Sequence, residues 1–130
     1  MKYFYGVVHK DDDSAYGVSF PDLPGCFSAA DREDEIVSKA VEALTLWFED
    51  QPETEPSPLP RIAEMASQDL SEGGFLVRVP WIGMAGKLVR TNVSLDRAML
   101  DAIDQAAASR NMTRSGFLVD AARRAIEAHS

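Results

Sequence analysis

The chain has 130 residues, 45 % of them hydrophobic, with 21 Asp and Glu against 13 Lys and Arg and a formal net charge of −8. That size suits one ordinary domain or two small ones with packed cores. No run of about 18 apolar residues occurs, so no membrane span is read, and Met1-Lys2-Tyr3-Phe4-Tyr5-Gly6 lacks a signal-peptide core. Cys26 stands alone and cannot form an internal disulfide, which fits a reducing cytoplasm; its simplest role is a small buried thiol.

The charge is unevenly spread. Residues 1–86 hold 6 Lys and Arg against 16 Asp and Glu, a net of −10; residues 87–130 hold 7 against 5, a net of +2. An acidic half suits a basic protein partner and repels nucleic acid, whereas the second half can approach it. Two functions in one chain are the natural reading.

In chain order, Tyr3-Phe4-Tyr5-Gly6-Val7-Val8 is aromatic and β-branched and reads as a strand. Asp11-Asp12-Asp13-Ser14 is a solvated hairpin turn, with no spaced ligand set for a metal around it, and Ala15 to Phe20 is the return strand. Pro21 to Gly25 is a rigid loop whose Pro24-Gly25 pair has the order of a type II turn centre. Cys26 to Ala29 is a short third strand. Asp31 is the expected N-cap of a helix over about residues 32–49, on which Ile36, Val37, Ala40, Val41, Leu44, Trp47 and Phe48 recur at helical spacing. Pro52, Pro56, Pro58 and Pro60 make a stiff connector, Ile62 to Leu70 a short helix, and Phe75 to Val79 a fourth strand ended by Pro80. The chain therefore divides into residues 1–80, a linker at 81–86, and residues 87–130.

The last segment opens on an alternating stretch, Lys87 to Leu95. Arg90, Asn92 and Ser94 fall on one face of a strand, and Val89, Thr91 and Val93 on the other. A cation and two hydrogen-bonding groups in a row form the inventory with which a β-ribbon reads base edges. Asp96 caps a helix bearing Met99, Leu100, Ile103, Ala106 and Ala107; Asn111 suits a left-handed turn; Thr113 caps a second helix bearing Phe117, Leu118, Ala121, Ala122 and Ala125. The N–H groups at Thr113-Arg114-Ser115, with the Arg114 charge, suit a phosphate, as does Lys87. A lone strand leaves unpaired backbone groups, and each helix is too short to stand alone, so a second copy is expected to intertwine with the first.

Arg90-x-Asn92-Val93-Ser94-Leu95, Leu100-x-x-Ile103-Asp104 and Thr113-Arg114-Ser115-x-Phe117-Leu118 resemble a ribbon-helix-helix domain of the Arc/CopG/MetJ class. Tyr16-Gly17-Val18-Ser19-Phe20-Pro21-Asp22-Leu23-Pro24-Gly25-Cys26 and the helix after it are similar to HicB-family antitoxins. The resemblance implies an α+β protein: a partial RNase H-like β-β-β-α-β domain followed by a ribbon-helix-helix domain. It implies a type II antitoxin that blocks a HicA-like mRNA-cleaving toxin and represses its own operon. The partners would be that toxin, operator double-stranded DNA, and a second copy through the ribbon, with a tetramer as a further step. Candidate DNA contacts are Lys87, Arg90, Asn92, Ser94, Thr113, Arg114 and Ser115; candidate toxin contacts are Tyr16, Pro21, Asp22, Leu23 and Phe27. No cofactor, metal or membrane is expected, and no enzymatic activity, since the carboxylates of the first half do not gather as a two-metal nuclease requires. The alternative is a ribbon-helix-helix repressor whose first half senses a small molecule.

Overall fold

The computed structural model describes residues 1–83 and 88–129, and these form two compact units that divide at that interval.

The first unit is a four-stranded antiparallel sheet in the order β3-β2-β1-β4. Strand β1 spans Lys2–His9 and β2 Tyr16–Ser19, joined by the acidic turn, in which Asp13 takes φ +62°. Strand β3 is Phe27–Ala30, and β4 is Phe75–Trp81, paired with β1 from Lys2↔Trp81 to Val8↔Phe75. Helix α1, Ile36–Trp47, lies on one face of the sheet. Alternation along β1 sends Phe4 and Val8 to that face, where they pack with Val18, Phe20, Leu44 and Val79. Phe48 stacks obliquely between Phe4 and Trp81, with ring centroids 5.6 and 5.0 Å apart. Val7 points to the opposite face. There α2, Leu59–Met65, supplies the buried Ile62, and Ala66, the residue between α2 and α3, Ser67–Ser71, is buried as well.

Most element ends shift by one or two residues, and three differences from the sequence reading go further. Helix α1 begins at Ile36 after a 3-10 turn at Glu33–Glu35 whose N-cap is Arg32, without a side-chain cap bond, so Asp31 is not the cap. The segment expected as one helix over 62–70 is two, and it starts earlier, at Leu59. Pro58 is its N-cap and Pro60 lies in its first turn, where a missing N–H removes no helical bond. Strand β4 does not end before Pro80 but runs through it to Trp81. It is an edge strand, where proline is tolerated, and Trp81 is buried in the core instead of belonging to a linker.

The second unit holds α4, Arg97–Ser109, and α5, Arg114–Ala128. The Asp96 carboxylate accepts a 2.8 Å bond from the Met99 N–H, and the Thr113 hydroxyl a 3.0 Å bond from the Gly116 N–H, as the cap chemistry predicts. Between them Asn111 takes φ +55°. Met112 N–H reaches the Ala107 carbonyl at 2.9 Å and Asn111 N–H the Ala108 carbonyl at 3.1 Å, the bond pair of a Schellman motif. Within the single chain this unit buries only Ile103 and Ala107 among its described apolar residues. Residues 88–95 form neither helix nor strand, and Leu88, Val89, Val93 and Leu95 stand exposed. The strand expected over this segment is therefore not formed in the single chain, where the described residues offer it no neighbouring strand to pair with.

Candidate functional site

In the first unit the loop from Pro21 to Cys26 is built by local chemistry. The Cys26 N–H bonds the Leu23 carbonyl at 2.9 Å, Pro24 sets one turn centre, and Gly25 takes φ +102° at the other, as a type II turn requires. Leu23 is 2 % exposed and packs in the core, so it offers no surface to a partner, contrary to its place among the expected contacts. Tyr16 packs against the same core from the α1 side, with the Lys10 ammonium 5.6 Å from its ring. Asp22 is occupied: one carboxylate oxygen accepts the Ser57 hydroxyl at 2.6 Å and the other the Ser57 N–H at 2.8 Å. Lys2 pins the same connector through Glu55 at 2.7 Å and Glu53 at 3.8 Å.

Phe27 and Pro21 remain available. They border an open depression of about 380 Å³ on the sheet face opposite α1, whose far wall is formed by Met65, Ala66 and Asp69. Phe27 is 70 % exposed and Met65 50 %. Met65 and Asp69 escaped the sequence reading because only the fold of the connector carries them back to the 21–27 loop. Their spacing in sequence marks them merely as two positions of a surface helix. Cys26 is buried, and burial pushes its thiol up to about 11, which keeps it protonated and unreactive. Among the described residues no three His, Cys, Asp or Glu side chains gather to hold a metal ion. No helix among them is long and apolar enough to cross a membrane.

In the second unit Arg90, Asn92 and Ser94 are all exposed, while Lys87 lies outside the described residues. At the start of α5 the Thr113 hydroxyl is used in the cap, and the N–H groups of Arg114 and Ser115 have no intrahelical acceptor. The Arg114 guanidinium turns back onto α4. Its Nε and Nη2 donate to the two oxygens of Asp104 at 2.8 Å each, and the hydrogen bond from Arg114 holds the Asp104 carboxyl below its usual range. Arg114 is thus a fork joining the two helices.

Residues 4–122 match the model of the HicB-like antitoxin of bacterial toxin–antitoxin systems. The chain belongs to the HicB-like antitoxin family. Its fold is similar to that of the Burkholderia pseudomallei antitoxin HicB in its crystal structure, with 34 % sequence identity, a TM-score of 0.53, and coverage of 94 % of this chain and 96 % of that one. A chain in the HicA3 and HicB3 toxin–antitoxin complex shares the fold at 24 % identity and a TM-score of 0.51, over 62 % of this chain and 99 % of its own. An uncharacterised 14.9 kDa protein of Haemophilus phage HP1, encoded in the rep-hol intergenic region, is 31 % identical over 120 residues, which is 88 % of this chain and 90 % of that protein. The family match reaches into both units of this antitoxin, so the role rests on more than its sheet domain.

Proposed function

We propose that this antitoxin neutralises a HicA-like RNA-cleaving toxin through its first unit and represses its own operon through a dimer of its second. It acts by binding alone, without catalysis. The observation that carries the reading is the family match, which spans residues 4–122, from β1 into α5. The sheet order β3-β2-β1-β4 with α1 on one face supports the partial RNase H-like reading of the first unit. The exposed Val89, Val93, Leu95 and Met99 support a ribbon-helix-helix dimer. Two helices with a two-residue buried core are too thin to be stable in water, and a second copy would cover these side chains while completing the ladder. The ribbon would then present Arg90, Asn92 and Ser94 to the major groove, where each good base contact contributes about 1–3 kcal/mol of discrimination.

The test is co-expression with the short reading frame beside its gene, with a tag on the neighbour alone. Co-elution together with relief of the neighbour's growth arrest is the expected result. A well-folded neighbour that elutes alone and still arrests growth would refute the antitoxin reading.

A further inference from the structure

We propose that the depression framed by Phe27, Met65 and Asp69 is the surface on which the first unit receives its toxin. It takes a basic segment whose apolar side chain fills the depression while an adjacent Lys or Arg pairs with Asp69. The inference rests on the antitoxin reading above and adds to it the place and chemistry of the contact.

Three observations converge on this surface. First, Phe27 sits on a four-residue edge strand, on the face away from α1, with its ring in water. Met65, 38 positions further along the chain, faces the same hollow. A rigid aromatic beside a flexible thioether, at the lip of a pocket, is the pairing that anchors protein partners. Other exposed large apolar residues of this unit, Leu46, Leu59, Phe75 and Ile82, do not line the depression.

Second, the walls of the depression are tied to each other. One wall is the 21–27 loop and the other is α2 with the start of α3. Asp22 lies in the first wall, and its partner Ser57 stands two residues before α2 begins. The clasp therefore fixes the width of the hollow before any partner arrives, so little ordering is left for binding to oppose.

Third, the charge selects the partner. The unit carries a net −10, and its cations are largely engaged: Lys2 with Glu55, Arg32 with Asp34, Lys39 with Glu42, and Arg78 over the Tyr3 ring at 4.0 Å. Among the described residues the Asp69 carboxylate has only a long 3.8 Å approach from the His9 ring, and it is half exposed. A surface of this sign repels a phosphate backbone and attracts a basic polypeptide.

The experiment titrates the full-length chain with the purified toxin protein, carrying an inactivating substitution so that it can be produced. Variants Phe27→Asp, Met65→Glu and Asp69→Lys are compared with Leu46→Asp on the exposed side of α1, each checked for a wild-type melting temperature. Phe27→Asp and Asp69→Lys are expected to weaken binding by about 30-fold or more, the loss typical of an anchor residue. Leu46→Asp should stay within about threefold, as an ordinary surface site does. Asp69→Asn should fall between wild type and Asp69→Lys. Wild-type affinity in all three depression variants overturns the surface while leaving the antitoxin reading intact. A wild-type chain that does not bind the toxin overturns both. Variants that change only the chain's self-association would assign the hollow to a second copy and equally overturn the proposal.

Discussion

Gly6 gives the sharpest test of how the first unit is packed. It lies mid-strand in β1, opposite Val77 on β4. A Cβ added there would stand 2.7 Å from Val18 Cγ1 and 3.5 Å from both Phe20 Cε1 and Val77 Cγ2. Val18 and Phe20 are buried against α1, and a β-branched side chain has few rotamers into which to retreat. Overpacking of this kind costs about 1–3 kcal/mol. Gly6 has no positive φ, so alanine recovers about 0.4–1 kcal/mol by restricting the unfolded chain. The net expectation for Gly6→Ala is a loss of about 1–2 kcal/mol, or roughly 4–16 °C in melting temperature for a unit of this size. Trp47 and Trp81 both lie in this unit, so intrinsic fluorescence follows its unfolding without a signal from the helix pair. Gly17 on β2 is the control: its Cβ would meet nothing nearer than the His9 carbonyl oxygen at 4.0 Å, and Gly17→Ala should be neutral or stabilising. Adding Val18→Ala to Gly6→Ala should cost less than the two single changes together, because the first removes the atom that the second strikes. Equal melting temperatures for Gly6→Ala and Gly17→Ala would show that the α1 face yields freely and would refute the reasoning.

Other expectations concern the two surfaces. Arg90→Ala and Asn92→Ala should each abolish tight operator binding while toxin binding persists, checked by gel shift and calorimetry on the same samples; unchanged operator affinity in both would sink the ribbon assignment. Asp22→Ala removes two charge-assisted bonds from a half-buried clasp. It should cost about 1–2 kcal/mol, after discounting for partial exposure, in the fluorescence melt. Its effect on toxin affinity should stay below that of Phe27→Asp, since both carboxylate oxygens are already bonded to Ser57. The Asp104 carboxyl, followed by NMR in the full chain, should titrate below its ordinary value of 3.8 because Arg114 bonds to the charged form. A folded value below the unfolded one contributes stability that is present above the unfolded value and lost as pH falls through the folded one. Arg114→Ala should return Asp104 to the ordinary value, and an unshifted wild-type titration would mean that the fork is not formed in solution.

Which features were legible in the sequence follows from the range of the interaction that makes them. Asp96, Asn111 and Thr113 act on backbone groups within a few residues, so their roles could be read directly, and the structure bears them out. The same holds for Pro24-Gly25, whose turn is closed by one bond over three residues. The prolines were harder, because the effect of a proline depends on what its missing N–H would have joined. Pro60 reads as part of an extended connector yet sits in the first turn of a helix. Pro80 reads as a strand end yet lies inside an edge strand. In both places the absent donor faces no obligatory acceptor, a fact set by position in the fold.

The candidate toxin surface divides along the same line. Phe27 and Pro21, which line the depression, belong to one continuous loop and can be grouped from the sequence. Leu23 turns inward, which nothing local in that loop shows, and Met65 and Asp69 join the depression only because the folded connector brings them near. The connector therefore does more than separate two halves. Lys2 and Asp22 fasten it to the sheet at Glu55 and Ser57, so that its last turns become one wall of the hollow. A sequence rich in proline, usually a spacer, here shapes a surface: the stiffness that keeps a spacer extended also holds α2 at a fixed distance from the 21–27 loop. On this argument, replacing Pro56 and Pro58 by alanine would loosen the hollow without touching any side chain that lines it. Toxin affinity should then fall through slower association, a signature that distinguishes lost preorganisation from a lost contact.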